Sequence, residues 1–271
     1  MGLSNIRLRI LSIVCILSPL LLLTLYSDIF AFLIIITMSC LIVYELIPNQ
    51  NKNKKIIYGL IAGIISMLPF IINSYYDSVS NIQNNTFYII SILIILLFFI
   101  LHIPKKTHLT STFINNLASI LFGSIVSIYI ALILIINKKI FLLILMIISI
   151  SDSSSFAIGK MFGKNQLAKS ISPGKTIEGA IGGIILTIII GSFVSSILVK
   201  NTILTSITYN LMLVLSAQIG DLLFSKIKRN RNIKDFGKLF PGHGGLIDRI
   251  DSSLITFMFG YFIFFEWIKE V

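Results

Sequence analysis

Long apolar stretches separated by short polar segments run through the whole chain. A helix needs about 20 mostly apolar residues to cross a lipid bilayer. Nine stretches come near that length, at residues 10–27, 29–48, 56–73, 87–103, 113–137, 140–151, 177–199, 203–224 and 252–269. The sixth is short, and we expect it to continue through Asp152 and three serines to about Ile158. The pattern therefore predicts an all-α, polytopic transmembrane helical bundle of about nine spans.

Composition supports a membrane protein and excludes an ordinary soluble domain. The 271 residues are 56% hydrophobic and 12% charged, with a mean hydropathy of +0.96, whereas soluble domains are about a quarter charged. The first apolar stretch resembles a signal peptide, but no small-x-small cleavage site follows it, so we expect it to remain as a span. Cys15 and Cys40 both lie in apolar stretches and are expected to act as small buried hydrophobic residues.

The distribution of basic residues predicts the orientation. If the N-terminus is cytoplasmic, 18 of the 22 lysines and arginines fall in cytoplasmic segments. The other four are Lys138, Lys139, Lys200 and Lys269. This bias follows the positive-inside rule, and it accounts for the net charge of +11 without a nucleic-acid partner. We expect a multi-pass protein of a bacterial cytoplasmic (inner) membrane, with its N-terminus inside and its C-terminus outside.

Ionisable residues are unevenly distributed between the two halves of the chain. Up to about residue 150 the predicted spans hold almost none, and Glu45 near a span end is an exception. From Asp152 onward, charged residues lie at or within span ends. This asymmetry predicts a transmembrane scaffold over residues 1–150 and a catalytic region over residues 151–271, with its site facing the cytoplasm.

Asp221 is the most informative single residue, because it lies near the end of a predicted span. A carboxylate there is costly unless it is paired or bound to a metal. On a helix, Gln218, Asp221, Ser225 and Lys228 share one face. Two readings remain open: an Asp–Lys pair that closes the helix end, or a divalent cation between facing carboxylates. Asp248 and Asp251 would supply the facing carboxylates.

The segment Lys228–Asp251 is basic and rich in glycine, a combination that suits an anion because backbone N–H groups can approach it. Its histidine, His243, is either a hydrogen-bonding strut or a proton-transfer group, and the sequence leaves both open. Attraction of anionic lipid headgroups would explain the lysines. It would not explain the interleaved aspartates and glycines, which include Gly237, Gly242, Gly244 and Gly245.

A second polar segment, Ser172–Gly183, contains near its start a Gly-Lys-Thr string like the end of a P-loop. Lys169 stands where the first glycine of that motif would be, so we reject a P-loop, but Lys175 still adds a cation to the cytoplasmic surface. Ser172-Pro173 followed by Glu178 predicts a helix start. The glycines that follow are expected to serve close helix packing; they are Gly179, Gly182, Gly183 and Gly191.

The string "SKIKRNRNIKDFGKLFPGHGGLIDRID", Ser225 to Asp251, resembles the signature of CDP-diacylglycerol synthases, or phosphatidate cytidylyltransferases. The specified positions are all present. They are Ser225, Ile227, Lys228, Arg229, Lys234, Asp235, Gly237, Phe240, Pro241, His243, Gly244, Gly245, Asp248, Arg249 and Asp251. "SPGKTIEG" resembles a second motif of that family, with Ile177 where tryptophan is common. The specific resemblance covers about the last 120 residues.

The resemblance implies that CTP and phosphatidate are converted to CDP-diacylglycerol and pyrophosphate, with Mg²⁺, in phospholipid biosynthesis. By likeness to the family's acidic pair, Asp221 and Asp248 are expected to hold the metal, supported by Asp251 and Asp152. The implied catalytic set is Asp221, Asp248, Lys228, Arg229, Lys234, His243 and Arg249. The implied substrate-binding set is Lys175, Ser225, Asp235, Gly244, Gly245 and Asp251. No protein nucleophile is needed, because phosphatidate itself attacks.

Three rival functions can be weighed against this reading. A transporter would line a path across the bilayer with charges, whereas here they crowd one side. Another lipid-phosphate enzyme, such as a polyprenol kinase, is a second rival; a CDP-alcohol phosphotransferase would need an Asp-Gly-x-x-Ala-Arg string that is not in the sequence. The third is an inactive lipid-binding homologue. The sequence leaves open the acyl-chain preference, dCTP use, a second, monovalent cation, a homodimer and the contacts of the base.

Overall fold

Eight α-helices and two short strands occur in the part of the chain that the computed structural model describes, which is residues 28–47, 50–75, 85–103, 112–199, 202–239 and 244–264. The helices are α1 (Asp28–Leu46), α2 (Lys52–Tyr75), α3 (Asn85–His102), α4 (Thr112–Ile136), α5 (Lys138–Phe162), α6 (Ile177–Leu198), α7 (Ile203–Asn230) and α8 (Ile247–Ile263). The strands are β1 (Gln166–Ala168) and β2 (Ser172–Thr176). Each predicted span from the second to the ninth overlaps one helix. The first predicted span, residues 10–27, lies outside the described residues.

Four of these helices are long and apolar enough to cross a membrane. They comprise residues Thr112–Leu134 of α4 and the whole of α5, α6 and α7. A largely helical protein with helices long and apolar enough to span a membrane is therefore confirmed. The number of nine spans and the cytoplasmic N-terminus remain predictions.

The two strands are a feature that the all-α prediction missed. They pair antiparallel, Gln166 with Thr176 and Ala168 with Ser172, and form a hairpin between α5 and α6. Ser172 and Pro173, which the sequence indicated as a helix start, belong to β2 instead, whereas the start of the seventh predicted span at residue 177 is confirmed. Helix α6 begins at Ile177, where the Thr176 side chain caps it by accepting the Gly179 N–H at 3.1 Å.

The chain divides into two compact units that do not follow its order. The first comprises Met1–His102, Lys106–Ile135 and Asp235–Arg249. The second comprises Ile103–Lys105, Ile136–Lys234 and Ile250–Val271. The glycine-bearing residues 235–249 therefore share a unit with α1. The functional division into a scaffold (1–150) and a catalytic region (151–271) is a separate statement and stays a prediction.

In the first unit, α1 packs against α2 through small residues. A Cβ atom on Gly59 would lie 2.8 Å from the Cys40 carbonyl oxygen, so the helices approach as closely as they do only because glycine is there. Cys40 is a free thiol in this contact and is only partly buried, not fully buried as predicted, whereas Cys15 lies outside the described residues. A small apolar core completes this part of the unit, formed by Val43, Ile47, Ala62 and Ile120.

In the second unit, α5 and α6 pack closely through glycines. A Cβ atom on Gly179 would lie 2.7 Å from the Ser155 carbonyl oxygen and 2.9 Å from the Gly159 Cα. One on Gly183 would collide with the Ser155 side chain. The predicted packing role of these glycines is confirmed. The contact fixes the end of α5 that carries Asp152 against the start of α6.

Candidate active site

One face of α7 carries the polar side chains that the sequence predicted to lie together. The Ser225 hydroxyl donates to Asp221 Oδ1 at 3.3 Å, one helical turn away. Gln218 Nε2 donates to the Ala180 carbonyl at 3.1 Å and thereby ties this face to α6. The predicted shared face is confirmed, and it projects Asp221 towards β2 and α5 within the second unit.

Asp221 forms an ion pair with Lys175 of β2, through Oδ2 and Nζ. The two side chains are 26% and 30% exposed, so solvent reaches the pair but does not surround it. An Asp–Lys pair was one of the readings left open by the sequence, although the partner is a lysine of the hairpin rather than one at the end of α7. Hairpin formation is what brings Lys175 to the aspartate.

A second ion pair lies at the end of the same helix. Lys228 Nζ donates to Asp251 Oδ2 at 3.4 Å, and these side chains are only 12% and 13% exposed. The Ser252 N–H donates to Asp251 Oδ1 at 2.9 Å. Burial, followed by repulsion from the Asp221 carboxylate, raises the pKa of Asp251, and attraction from Lys228 opposes the rise. Asp251 lies just before the ninth predicted span.

Asp152 completes a group of three aspartates. Its Oδ2 accepts a hydrogen bond from the Ser252 hydroxyl at 3.4 Å. Its charge interacts with those of Asp221 and Lys175. We call Asp152, Asp221, Asp251, Lys175 and Lys228 the aspartate–lysine cluster. All five belong to the second unit, where α5 and α7 pack against β2 and Asp251 of α8 joins the group through its ion pair with Lys228.

A cavity of about 390 Å³ opens beside the cluster. Its wall includes Asp152, Lys175 and Asp221, a further cation at Lys160, and apolar surface from Phe156 and Leu167. Charged groups of both signs beside apolar surface are what a ligand with a phosphate and a hydrocarbon part requires.

The hairpin is held in place by contacts from both sides. Arg229 Nε donates to the Ile171 carbonyl at 3.0 Å, so part of this predicted phosphate-binding side chain supports the hairpin. Glu178 accepts the backbone N–H groups of Lys164 and Asn165 at 3.1 Å. These bonds limit the movement of Lys175 and are a function of Arg229 and Glu178 that the sequence did not reveal.

Asp248, Gly244 and Gly245 form a second group of predicted site residues, in the first unit. Asp248 Oδ2 accepts the N–H groups of Phe236 and Gly245, both at 2.8 Å. Gly244 has φ +86°, a left-handed conformation that favours glycine, and a Cβ atom there would lie 2.8 Å from Asp248 Oδ2. Residues 235–239 and 244–249, which we call the glycine segment, thus fold around the Asp248 carboxylate.

The other predicted site residues lie in the glycine segment, at the surface or outside the described residues. Asp235 lies beside Gly244. Lys234 and Arg249 are exposed. His243, Phe240, Pro241 and Gly242 lie outside the described residues. Asp221 and Asp248 belong to different units, so the metal pair expected from them stays a prediction.

Within the described ranges, no three His, Cys, Asp or Glu side chains are grouped so as to hold a metal ion by themselves. The aspartate–lysine cluster nevertheless offers the donor type that Mg²⁺ prefers. Mg²⁺ usually binds proteins through one or two carboxylates, with substrate phosphates and waters completing its octahedron. The carboxylate of Asp221, with Asp152 and Asp251 near it, fits that pattern.

One residue of this region was not assigned a role from the sequence. Glu45 of α1 is 8% exposed, and its carboxylate accepts the N–H groups of Leu246 and Ile247. The signal was present, since a carboxylate in an apolar stretch marks a functional candidate. Its partners are about 200 residues away in the chain, and the apolar pattern carries no information about them.

Comparison with known proteins adds the family. A profile of the Cytidylyltransferase family matches residues 7–267. The phosphatidate cytidylyltransferase of Staphylococcus haemolyticus (strain JCSC1435) is 32% identical over 221 residues, covering 80% of this chain and 83% of that protein. The phosphatidate cytidylyltransferase of Bacillus subtilis (strain 168) is 40% identical over 116 residues, 42% of each chain.

The uncharacterized protein YnbB of Escherichia coli (strain K12) is 40% identical over 126 residues, covering 45% of this chain and 42% of that protein. The chain thus spans about two fifths of the length of the Bacillus and Escherichia relatives. The family profile, in contrast, extends over nearly the whole sequence, and the Staphylococcus relative is matched along most of its length. The chain therefore belongs to the cytidylyltransferase family.

Proposed function

We propose that the protein is a membrane-embedded phosphatidate cytidylyltransferase, which converts CTP and phosphatidate to CDP-diacylglycerol and pyrophosphate. Family membership supports this reaction, as do two relatives whose names state that activity. The observation that carries the proposal is the aspartate–lysine cluster beside its cavity. Two polyanionic substrates must meet there, and such transfers depend mainly on positioning and charge neutralisation.

In the proposed reaction, a phosphate oxygen of phosphatidate attacks the α-phosphorus of CTP. A new P–O bond forms, the bond from the α-phosphorus to the oxygen that bridges to the β-phosphorus breaks, and pyrophosphate leaves with that electron pair. Lys175 and Lys228 would neutralise phosphate charge from the cluster. Arg229, Lys234 and Arg249 would assist them, Ser225 would hold Asp221, and Asp235, Gly244 and Gly245 would contact substrate.

We assign Mg²⁺ to Asp221 and Asp248, with Asp152 and Asp251 in support. The pairing of Asp221 with Asp248 rests on the signature resemblance. The cluster around Asp221 supports the assignment of Asp221 only. Bound Mg²⁺ would neutralise the phosphates and polarise the α-phosphorus. His243 stays in the proposed catalytic set, as a hydrogen-bonding strut or a proton-transfer group, and a second, monovalent cation could accompany Mg²⁺.

We further propose nine spans in a bacterial cytoplasmic membrane, with the N-terminus and the active site facing the cytoplasm, where CTP is available. The bias of basic residues supports this orientation. The glycine-mediated helix contacts are compatible with a homodimer formed through further small-residue surfaces.

The test is incorporation of CTP, labelled in its cytosine ring, into lipid by the purified full chain in detergent with phosphatidate. Label should enter the lipid phase only with Mg²⁺, and Asp221→Asn should abolish it. Asp77→Asn is the matched control, since the sequence predicts Asp77 in a loop on the opposite side of the membrane. Folded wild-type protein that transfers no label to several phosphatidates would refute the proposal.

A further inference from the structure

Glu45 is a buried acidic residue that the proposed reaction does not yet use. It lies near the end of α1, where its neighbours Val43, Leu46 and Ile47 are fully buried. A carboxylate in such surroundings is costly unless hydrogen bonds satisfy it. The first unit includes both α1 and the glycine segment, so the contacts between Glu45 and that segment lie within one compact unit.

The two oxygens of Glu45 bind two successive backbone N–H groups. Oε1 accepts from Leu246 at 2.8 Å, and Oε2 accepts from Ile247 at 2.9 Å. Leu246 and Ile247 are 7% and 0% exposed, so water does not compete for these bonds. The donors lie at the N-terminus of α8, where N–H groups lack intrahelical partners and the helix dipole favours a negative charge.

Two glycines make the room that the carboxylate occupies. A Cβ atom on either Gly237 or Gly245 would collide with the Glu45 carboxylate. A Cβ atom on Gly237 would also lie 3.1 Å from the Gly245 Cα, so the two glycines themselves lie close together. Part of the glycine content of the signature is thus explained by a side chain from a distant helix rather than by a ligand.

The same segment holds Asp248. Gly245 lies against Glu45 through its Cα, while its N–H donates to Asp248 Oδ2. The Phe236 N–H, next to Gly237, donates to the same oxygen. Glu45 therefore contacts both parts of the glycine segment, residues 235–239 and 244–249, that orient the Asp248 carboxylate.

We propose that Glu45 is a positioning residue, which fixes the glycine segment and thereby the orientation of Asp248 for metal binding. The inference rests on the proposed function in one respect, the assignment of Asp248 as a metal ligand. A residue that only capped α8 would change stability alone. A positioning residue also changes the affinity for the metal, since residues that orient metal ligands typically contribute about 10- to 100-fold to that affinity or to activity.

The decisive variant is Glu45→Gln, which keeps the size of the side chain but replaces one acceptor oxygen by a donor. We would measure Mn²⁺ binding by electron paramagnetic resonance in the presence of CTP, using the purified full chain. We expect binding to weaken about 10- to 100-fold. Amide hydrogen exchange at Leu246 and Ile247 should accelerate, and Gly237→Ala should have the same effects with Glu45 intact.

Ser124→Ala is the matched control. It removes another buried hydrogen bond of the first unit, from the Ser124 hydroxyl to the Ile120 carbonyl at 2.8 Å, and should leave metal binding unchanged. Unchanged Mn²⁺ binding in folded Glu45→Gln protein would overturn the inference. If the wild-type protein binds Mn²⁺ and Glu45→Gln does not, while neither transfers cytidylyl groups, the proposed reaction fails and the role of Glu45 stands.

Discussion

The ion pair between Lys175 and Asp221 gives the sharpest prediction about the chemistry. We expect Lys175→Gln and Asp221→Asn to impair the same step, since the two charges are in direct contact beside the cavity. The amide of Asp221→Asn can still accept the hydrogen bond from Ser225, so the local structure should survive. The test compares each single variant with the double variant.

The structure predicts a small effect on stability and a large one on activity. Both side chains are more than a quarter exposed, so the pair should contribute about 1 kcal/mol or less to folding. Removing one group that stabilises charge in the transition state typically costs about 10²–10³-fold in kcat, or about 2.7–4 kcal/mol. Independent groups would multiply these losses to about 10⁴–10⁶-fold, whereas groups that act as a unit would leave the double variant close to the worse single variant.

The assay is the initial rate of CTP incorporation into lipid, with kcat and KM for each substrate and thermal stability in the same detergent. Lys139→Gln is the control, because it removes an exposed lysine at the start of α5, which the sequence places on the other side of the membrane. The reasoning is refuted if folded single variants keep kcat/KM within about twofold of wild type, far below the loss expected for such groups. We expect the pair to act as a unit because the two charges are in contact, and fully multiplicative losses would refute this expectation.

Two further predictions concern the fold. Gly179→Ala should destabilise the protein by about 1–3 kcal/mol, because its methyl group would enter the contact between α5 and α6; thermal unfolding in detergent checks this. Gly174→Ala, which meets no atom within 4 Å, should leave the unfolding temperature nearly unchanged, and equal effects of the two would contradict the packing argument. In a cysteine-free background, a thiol introduced by Ser80→Cys should react with a membrane-impermeant maleimide added outside intact cells, whereas one from Lys169→Cys should not. The reverse pattern would disprove the proposed orientation.

Much of the helical architecture could be predicted from the sequence, because a bilayer span needs a long apolar run and leaves a strong local signal. Helices α6 and α7 begin at Ile177 and Ile203, the residues at which their spans were predicted to begin. The hairpin could not be predicted in this way. It consists of strands of only three and five residues, and their pairing is a tertiary event without a periodic signal.

The candidate site, too, could be predicted where it depends on local helix geometry and could not where it depends on tertiary contacts. The shared face of Gln218, Asp221 and Ser225 follows from helical spacing alone, and the sequence predicted it correctly. The partner of Asp221 could not be chosen among several lysines, because Lys175 reaches it only through the hairpin. Likewise, the sequence showed Glu45 as a charged residue among predicted spans that hold almost none. Its contact with the glycine segment, however, depends on how distant parts of the first unit fold together.

The central claim is tested most directly by following the α- and γ-phosphates of CTP separately. Two parallel reactions would use phosphatidate, Mg²⁺ and the purified protein, one with α-³²P-labelled CTP and the other with γ-³²P-labelled CTP. Cytidylyl transfer predicts that the α-label enters the lipid phase while the γ-label is released as pyrophosphate. Entry of the γ-label into lipid would identify a kinase, and absence of both labels from lipid would contradict a cytidylyltransferase.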